Sequence, residues 1–245
     1  MYQSVSLAPR KFSPIVLLTF LVFFGCQSYE GAQTPEEIFE RAQLEEHQGH
    51  YDNAVRWYKE AAIQGLPEAQ LALAHLYQWG TVKNQVGRVI GTGRQDRQQA
   101  ATWYRKAAEQ YRQAASDGDL EAQVVLADLL FEGSGISYDE EEALRLYKEA
   151  AAQGNAKAQY RVAFIFVTKK EYSEAVVWLS KSAEQGFADA QYLFSEYYQL
   201  GRGVDQDFTE AEMWLRKAAE QGHLMAKRGL AQMEAAQATA REASS

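Results

Sequence analysis

Glu121 to Gly154 reads EAQVVLADLLFEGSGISYDEEEALRLYKEAAAQG, and this stretch decides the fold. Two runs with apolar residues three and four apart flank a Gly-Ser-Gly turn, the pattern of two amphipathic helices joined by a short connection. The same anchors recur on both sides. Ala69-Gln70, Ala122-Gln123, Ala158-Gln159 and Ala190-Gln191 follow one another at steps of 53, 36 and 32 residues. Closing glycines at Gly65, Gly118, Gly154, Gly186 and Gly222 step by 53, 36, 32 and 36. A third ruler places alanine three residues before a bulky side chain: Ala54/Trp57, Ala100/Trp103, Ala143/Leu146, Ala175/Trp178, Ala211/Trp214. Agreement among the rulers identifies a tandem repeat, whose core is a seam between neighbours rather than one globular centre.

The order Ala-Gln, then Leu76-Tyr77-Gln78-Trp79-Gly80, then Trp57-Tyr58-Lys59-Glu60-Ala61-Ala62-Ile63-Gln64-Gly65 or Trp214-Leu215-Arg216-Lys217-Ala218-Ala219-Glu220-Gln221-Gly222 resembles the Sel-1-like repeat, a relative of the tetratricopeptide repeat. The resemblance covers most of the chain from about Pro35. It implies an all-α fold, an α/α superhelical solenoid of helix pairs, whose first helices line a concave face that binds a protein or peptide. On that expectation residues 35–65 form a tetratricopeptide-like first unit. Residues 66–118 form a Sel-1-like repeat with an insertion, 119–154 a regular repeat, 155–186 a short one and 187–222 another regular one. Residues 223–245 form a capping helix whose Ala- and Ser-rich tail frays.

Helix ends are readable. Thr34-Pro35-Glu36-Glu37 combines a capping threonine, a proline suited to the first turn and a capping-box glutamate. The unit 66–118 exceeds its neighbour by seventeen residues. Seven of them are a duplicated heptad, Tyr104 to Gln110 followed by Tyr111 to Asp117, which lengthens a helix by nearly two turns and keeps its apolar stripe in phase. The other ten fall in Gly80 to Asp96, GTVKNQVGRVIGTGRQD, a basic, glycine-punctuated loop whose Lys83, Arg88 and Arg94 are candidate contacts, since insertions in repeat folds often lie on a binding face. Val167 to Tyr172 lacks glycine, so its turn should be tighter than Gly133-Ser134-Gly135-Ile136 or Gly201-Arg202-Gly203-Val204. Trp178 should be buried, and its replacement by alanine should cost about 3–5 kcal/mol.

Counted from each Ala-Gln alanine, the second position gives Leu71, Val124, Tyr160 and Tyr192, and the sixth gives His75, Asp128, Phe164 and Glu196. These are the candidate partner-binding residues. The apolar ones serve equally well as packing between units, because amphipathic period does not separate a groove from a seam.

Arg10 and Lys11 precede the apolar run IVLLTFLVFFG, Ile15 to Gly25, in a segment 1–25 with no acid. That is the plan of a signal peptide, too short to span a bilayer. Phe23-Phe24-Gly25-Cys26 resembles a degenerate bacterial lipobox, implying lipidation at Cys26, a tether over 26–34 and, with Gln27 next, an outer-membrane lipoprotein facing the periplasm. A soluble periplasmic or secreted product is the alternative. Loss of residues 1–25 would leave 23 basic residues against 33 acidic ones, and such a surface disfavours a nucleic-acid partner.

Recognisable chemistry is sparse. There is no Ser-x-x-Lys, no Gly-x-Ser-x-Gly and only one cysteine, so nucleophilic catalysis and a cysteine zinc cluster lack their residues. Glu45, Glu46, His47 and His50 read as a helix end and turn, and Asp139 to Glu142 as a favourable helix start. No cofactor is expected. The expected role is a non-catalytic interaction scaffold of the bacterial cell envelope. The alternatives are a cell-wall or β-lactam-active enzyme, which some proteins of the resembled class are, and a scaffold lipoprotein for polysaccharide secretion.

Overall fold

The computed structural model describes residues 33–79, 82–83, 89–90 and 96–243. The leader, Cys26 and most of the 80–96 loop, with Arg88 and Arg94, lie outside them. From Pro35 onward the chain is a row of helices: α1 (Pro35–His47), α2 (Tyr51–Ile63), α3 (Pro67–Trp79), α4 (Arg97–Ser116), α5 (Leu120–Glu132), α6 (Glu140–Ala152), α7 (Ala156–Thr168), α8 (Tyr172–Glu184), α9 (Ala188–Leu200), α10 (Phe208–Glu220) and α11 (Leu224–Ala243). Between α3 and α4, β1 (Val82–Lys83) pairs antiparallel with β2 (Val89–Ile90), so the insertion carries a small ladder where the sequence reads as loop. Each helix packs extensively only on the one before it and the one after it, the one-dimensional contact plan of a solenoid.

Nine of the eleven helices have 13 residues, about 20 Å, too short to persist alone in water. Alanine solves the packing problem. Ala69, Ala122, Ala158 and Ala190 on the first helices, and Ala54, Ala100, Ala143, Ala175 and Ala211 on the second, are all buried and let backbones approach closely. The duplicated heptad extends α4 to 20 residues, with Tyr104 and Tyr111 both buried on one stripe.

The third ruler needs a correction. Trp57, Trp103 and Trp178 are only half-buried, and the deepest side chain of each second helix sits four residues past the alanine: Tyr58, Tyr104, Tyr147, Leu179 and Leu215. At about 100° per residue the fourth position lies some 40° from the alanine and the third some 60° on its other side, so the tryptophan falls at the edge of the stripe. There Trp103 bridges the core patches before and after it, and Trp178 does the same further along.

Polar ends are satisfied by short-range chemistry. Asp96, Asp119, Asp139, Asn155 and Asp207 each accept backbone N–H groups of the helix they start. At the other end, Gly154 turns left-handed (φ +92°) and Asn155 N–H reaches back to the Ala150 carbonyl, and the other closing glycines repeat this geometry. The glycine-free turn makes the same closure, Glu171 N–H to Phe166 O at 2.9 Å, with Lys170 held at φ +62°. It is therefore no different in kind, only strained. Lys170→Gly should stabilise the protein by about 0.5 kcal/mol, the left-handed penalty of a side chain less the added freedom of the unfolded glycine; a urea midpoint that falls instead would show that the turn is unstrained.

Candidate functional site

The glutamine of each Ala-Gln pair, a marker without assigned purpose in the sequence, has a definite task. Gln70, Gln159 and Gln191 are buried, and each Nε2 donates to a carbonyl in the last turn of the preceding second helix: Ala62 at 3.3 Å, Ala151 at 3.1 Å and Ala183 at 3.1 Å. Gln123 makes the same approach to Ala115 at 3.5 Å. A second glutamine then closes on the first: Gln110 donates to Gln70, Gln185 to Gln159 and Gln221 to Gln191, at 3.0, 2.7 and 2.7 Å. Each of these carbonyls already accepts from the N–H of its closing glycine, and the glutamine of the next unit supplies a second donor, which fixes the spacing of one hairpin on another.

Of the candidate residues at the second position, Leu71 and Val124 are buried and Tyr160 and Tyr192 partly so. Leu71 is 7% exposed and Val124 0%, so neither is part of a binding strip. The reason is topological: a first helix such as α5 is covered on one side by α4 and on the other by α6. Tyr160 packs at a tilt against Phe187 at 5.4 Å and Tyr192 stacks on His223 at 4.8 Å, each meeting the residue that follows the next closing glycine. The sixth positions are mixed. His75 Nδ1 is bonded to the Tyr104 hydroxyl at 2.8 Å, and burial holds its pKa below the ordinary histidine value. Glu196 accepts from Tyr192 Oη at 2.8 Å. Phe164, 37% exposed, is the most open of the large apolar and aromatic side chains among these eight.

Asp128 is a hub. Its carboxylate accepts from Tyr147 Oη at 2.6 Å, pairs with Lys157 Nζ at 2.9 Å and lies 2.8 Å from Arg161 Nε. α5, α6 and α7 are joined through one anion. With both oxygens committed, the residue has a structural occupation where the sequence offers it as a contact. Lys83 lies on β1, and its neighbours Arg88 and Arg94 lie outside the described residues.

Sequence reading also missed a row of cation–ring contacts. Arg41 and Arg56 lie over Trp57, Lys106 over Trp103, Lys181 over Trp178 and Lys217 over Trp214, at 3.9 to 4.7 Å. The signal was present as Trp-x-x-Lys in three second helices, one turn apart on the surface. Near the amino end, Glu45 accepts from Asn53 and meets His50 Nδ1, both at 3.1 Å. Among the described residues no three His, Cys, Asp or Glu side chains converge as metal ligands, and no helix is long and apolar enough to cross a membrane. Among the described residues, open depressions lie along α10 beside Met213 and Arg216 and at the start of α6.

Helix hairpins stacked through interlocking glutamines and alanines define a repeat protein of the α-solenoid class. The chain belongs to the Sel1 repeat family, whose model matches residues 51–66, 67–111, 120–155, 156–187 and 188–223. Among solved structures, the Sel1 repeat protein from Oxalobacter formigenes is similar at 30% identity, with a TM-score of 0.55 over 79% of this chain and 75% of that one. The immunity protein Pa5087 from Pseudomonas aeruginosa, at 19% identity and TM-score 0.52 over 78% of this chain and 67% of that one, shares the fold. Chitin synthase regulatory factor 4 of Schizosaccharomyces pombe is 26% identical over 175 residues, 65% of this chain and 25% of that one. Chitin synthase regulatory factor 3 of the same organism is 29% identical over 184 residues, 70% of this chain and 18% of that one. The chain thus spans a quarter or less of the length of these curated relatives.

Proposed function

We propose that this protein is a non-catalytic scaffold that holds a partner protein or peptide at the bacterial cell envelope. The observation that carries the reading is the deployment of its polar side chains: Asp128, Tyr147, Lys157, His75 and the paired glutamines bond across or within units and so are committed to holding the repeats together. The repeat frame presents what remains of the first-helix surface, around Phe164 and Glu196, as a rigid contact area. Relatives named as regulatory factors of a synthase support a role in binding rather than turnover. The same names favour, as a second reading, a scaffold in polysaccharide synthesis or export.

The segment from Arg10 to Cys26 supports export and anchoring to the outer membrane, facing the periplasm, through lipid on Cys26. Two measurements test the whole. A photo-crosslinking side chain at position 164, in full-length protein expressed in a Gram-negative cell, should yield one defined adduct that the same group at the exposed second-helix position 177 does not. Metabolic labelling with palmitate should mark the wild type and not Cys26→Ser. Absence of any adduct on the first helices, or turnover of a chromogenic β-lactam by the purified chain, would overturn the scaffold reading, and an unlabelled wild type would overturn the anchor.

A further inference from the structure

The described arginines from α1 to α10 fall into two groups. Arg41 and Arg56 lie over Trp57 and Arg202 over Tyr172; Arg145 pairs with Glu142 and Glu149, Arg161 with Asp128 and Arg216 with Glu212. Among the described residues the guanidinium groups of Arg97, Arg105 and Arg112 have no carboxylate, hydrogen-bond acceptor or ring, and all three are exposed on α4. The concentration is local. Residues 66–118 hold seven Lys and Arg against four Asp and Glu, while the rest of the chain holds 18 against 29.

Two features of α4 show that this charge is maintained against ordinary helix chemistry. Its first turn contains Arg97 and no acid, although a cation at a helix start opposes the dipole. The duplicated heptad repeats the Tyr-Arg pair, so Arg105 and Arg112 fall on one stripe, about 10 Å apart along the axis, with Glu109 between them making no ion pair among the described residues. α6, by contrast, begins with Glu140, Glu141 and Glu142 and binds its Arg145 with two of its own glutamates.

We propose that the exposed face of α4 is a docking surface for an acidic segment of a partner protein, its carboxylates forming forked pairs with Arg105 and Arg112 and reaching toward Arg97. A short segment matches the patch because salt screens charges beyond about 8 Å, so it meets the arginines and not the acidic remainder. A nucleic-acid duplex or a bilayer is larger than the patch and would bring its own phosphates against the acids at the start of α6. This surface belongs to a second helix and stands independently of the first-helix contact area.

The test uses the full chain and fluorescence anisotropy of a dye-labelled peptide of alternating glutamate and serine, with its glutamine-serine counterpart as control. The acidic peptide binds and the neutral one does not; added salt weakens binding; Arg105→Glu with Arg112→Glu weakens it about tenfold or more. Arg216→Glu, a reversal at a paired arginine elsewhere, changes it less than about twofold, and the milder Arg105→Gln with Arg112→Gln, at unchanged helicity, still weakens it about threefold or more. Equal loss in the Arg216 variant, or no binding at low salt, overturns the proposal. So does tighter binding of a DNA oligonucleotide or phosphatidylglycerol vesicles through the same arginines, or self-association that the double variant abolishes. None of these outcomes alters crosslinking at position 164, so the two surfaces fail or stand separately.

Discussion

Replacing Gly203 with alanine is expected to cost about 3–5 kcal/mol, among the largest effects of any single substitution in this chain. Two penalties add. Gly203 has φ +72°, where a side chain is strained, and an added Cβ would lie 2.5 Å from the Tyr172 carbonyl oxygen and 2.8 Å from its carbon, backbone atoms at the start of α8. Gly135 repeats the arrangement one pair of units earlier, with Tyr104 Cβ only 2.2 Å from the added atom. The control is Gly154→Ala: its φ is also positive, but nothing lies within 4 Å of the added carbon, so strain alone should cost about 1 kcal/mol. Urea denaturation of the three variants gives the comparison. Equal losses at Gly203 and Gly154 would mean that the loops of successive units do not touch the helices behind them.

Leu179→Ala should cost about 3–5 kcal/mol and Trp178→Ala about 1–2 kcal/mol, an order opposite to what residue size alone predicts. Leu179 is fully buried between α7, α8 and α9, and its loss leaves a cavity that the alanine-rich interfaces cannot close. The Trp178 ring is half-exposed, with Lys181 over its face at 4.7 Å, so part of its surface never leaves water. Thermal melts of both variants decide the matter. A tryptophan deletion as damaging as the leucine deletion would place the indole, and not Leu179, at the centre of the seam.

The fold was legible because its rules are local. Alanine spacing, closing glycines and aspartate or asparagine caps each act within a few residues, and α4, α5, α6, α7 and α10 start at such a cap, while α2, α8 and α9 start without one. The heptad Tyr111 to Asp117 was readable for the same reason, since seven residues return the stripe to nearly the same side. The candidate contacts were less legible. Whether Leu71 and Val124 face a groove or a neighbour depends on what covers the far side of a first helix, and that is set by the preceding second helix, not by the period of the helix itself. Asp128 illustrates the same limit: the partners that occupy it, Tyr147, Lys157 and Arg161, come from two later helices. Lys170 is not legible in the sequence because a left-handed residue there is ordinarily glycine, and its φ of +62° is imposed by the closure onto Phe166.

The interlocking glutamines tie stability to order of assembly. The Ala151 and Ala183 carbonyls accept only from backbone N–H groups of their own hairpin, Gly154 and Gly186 among them, until the side chains of Gln159 and Gln191 on the following hairpins arrive, so each finished hairpin is a template for its successor. A chain emerging from a ribosome can therefore consolidate behind its own growing end, and a truncated one would stop with a polar, sticky edge instead of a closed surface.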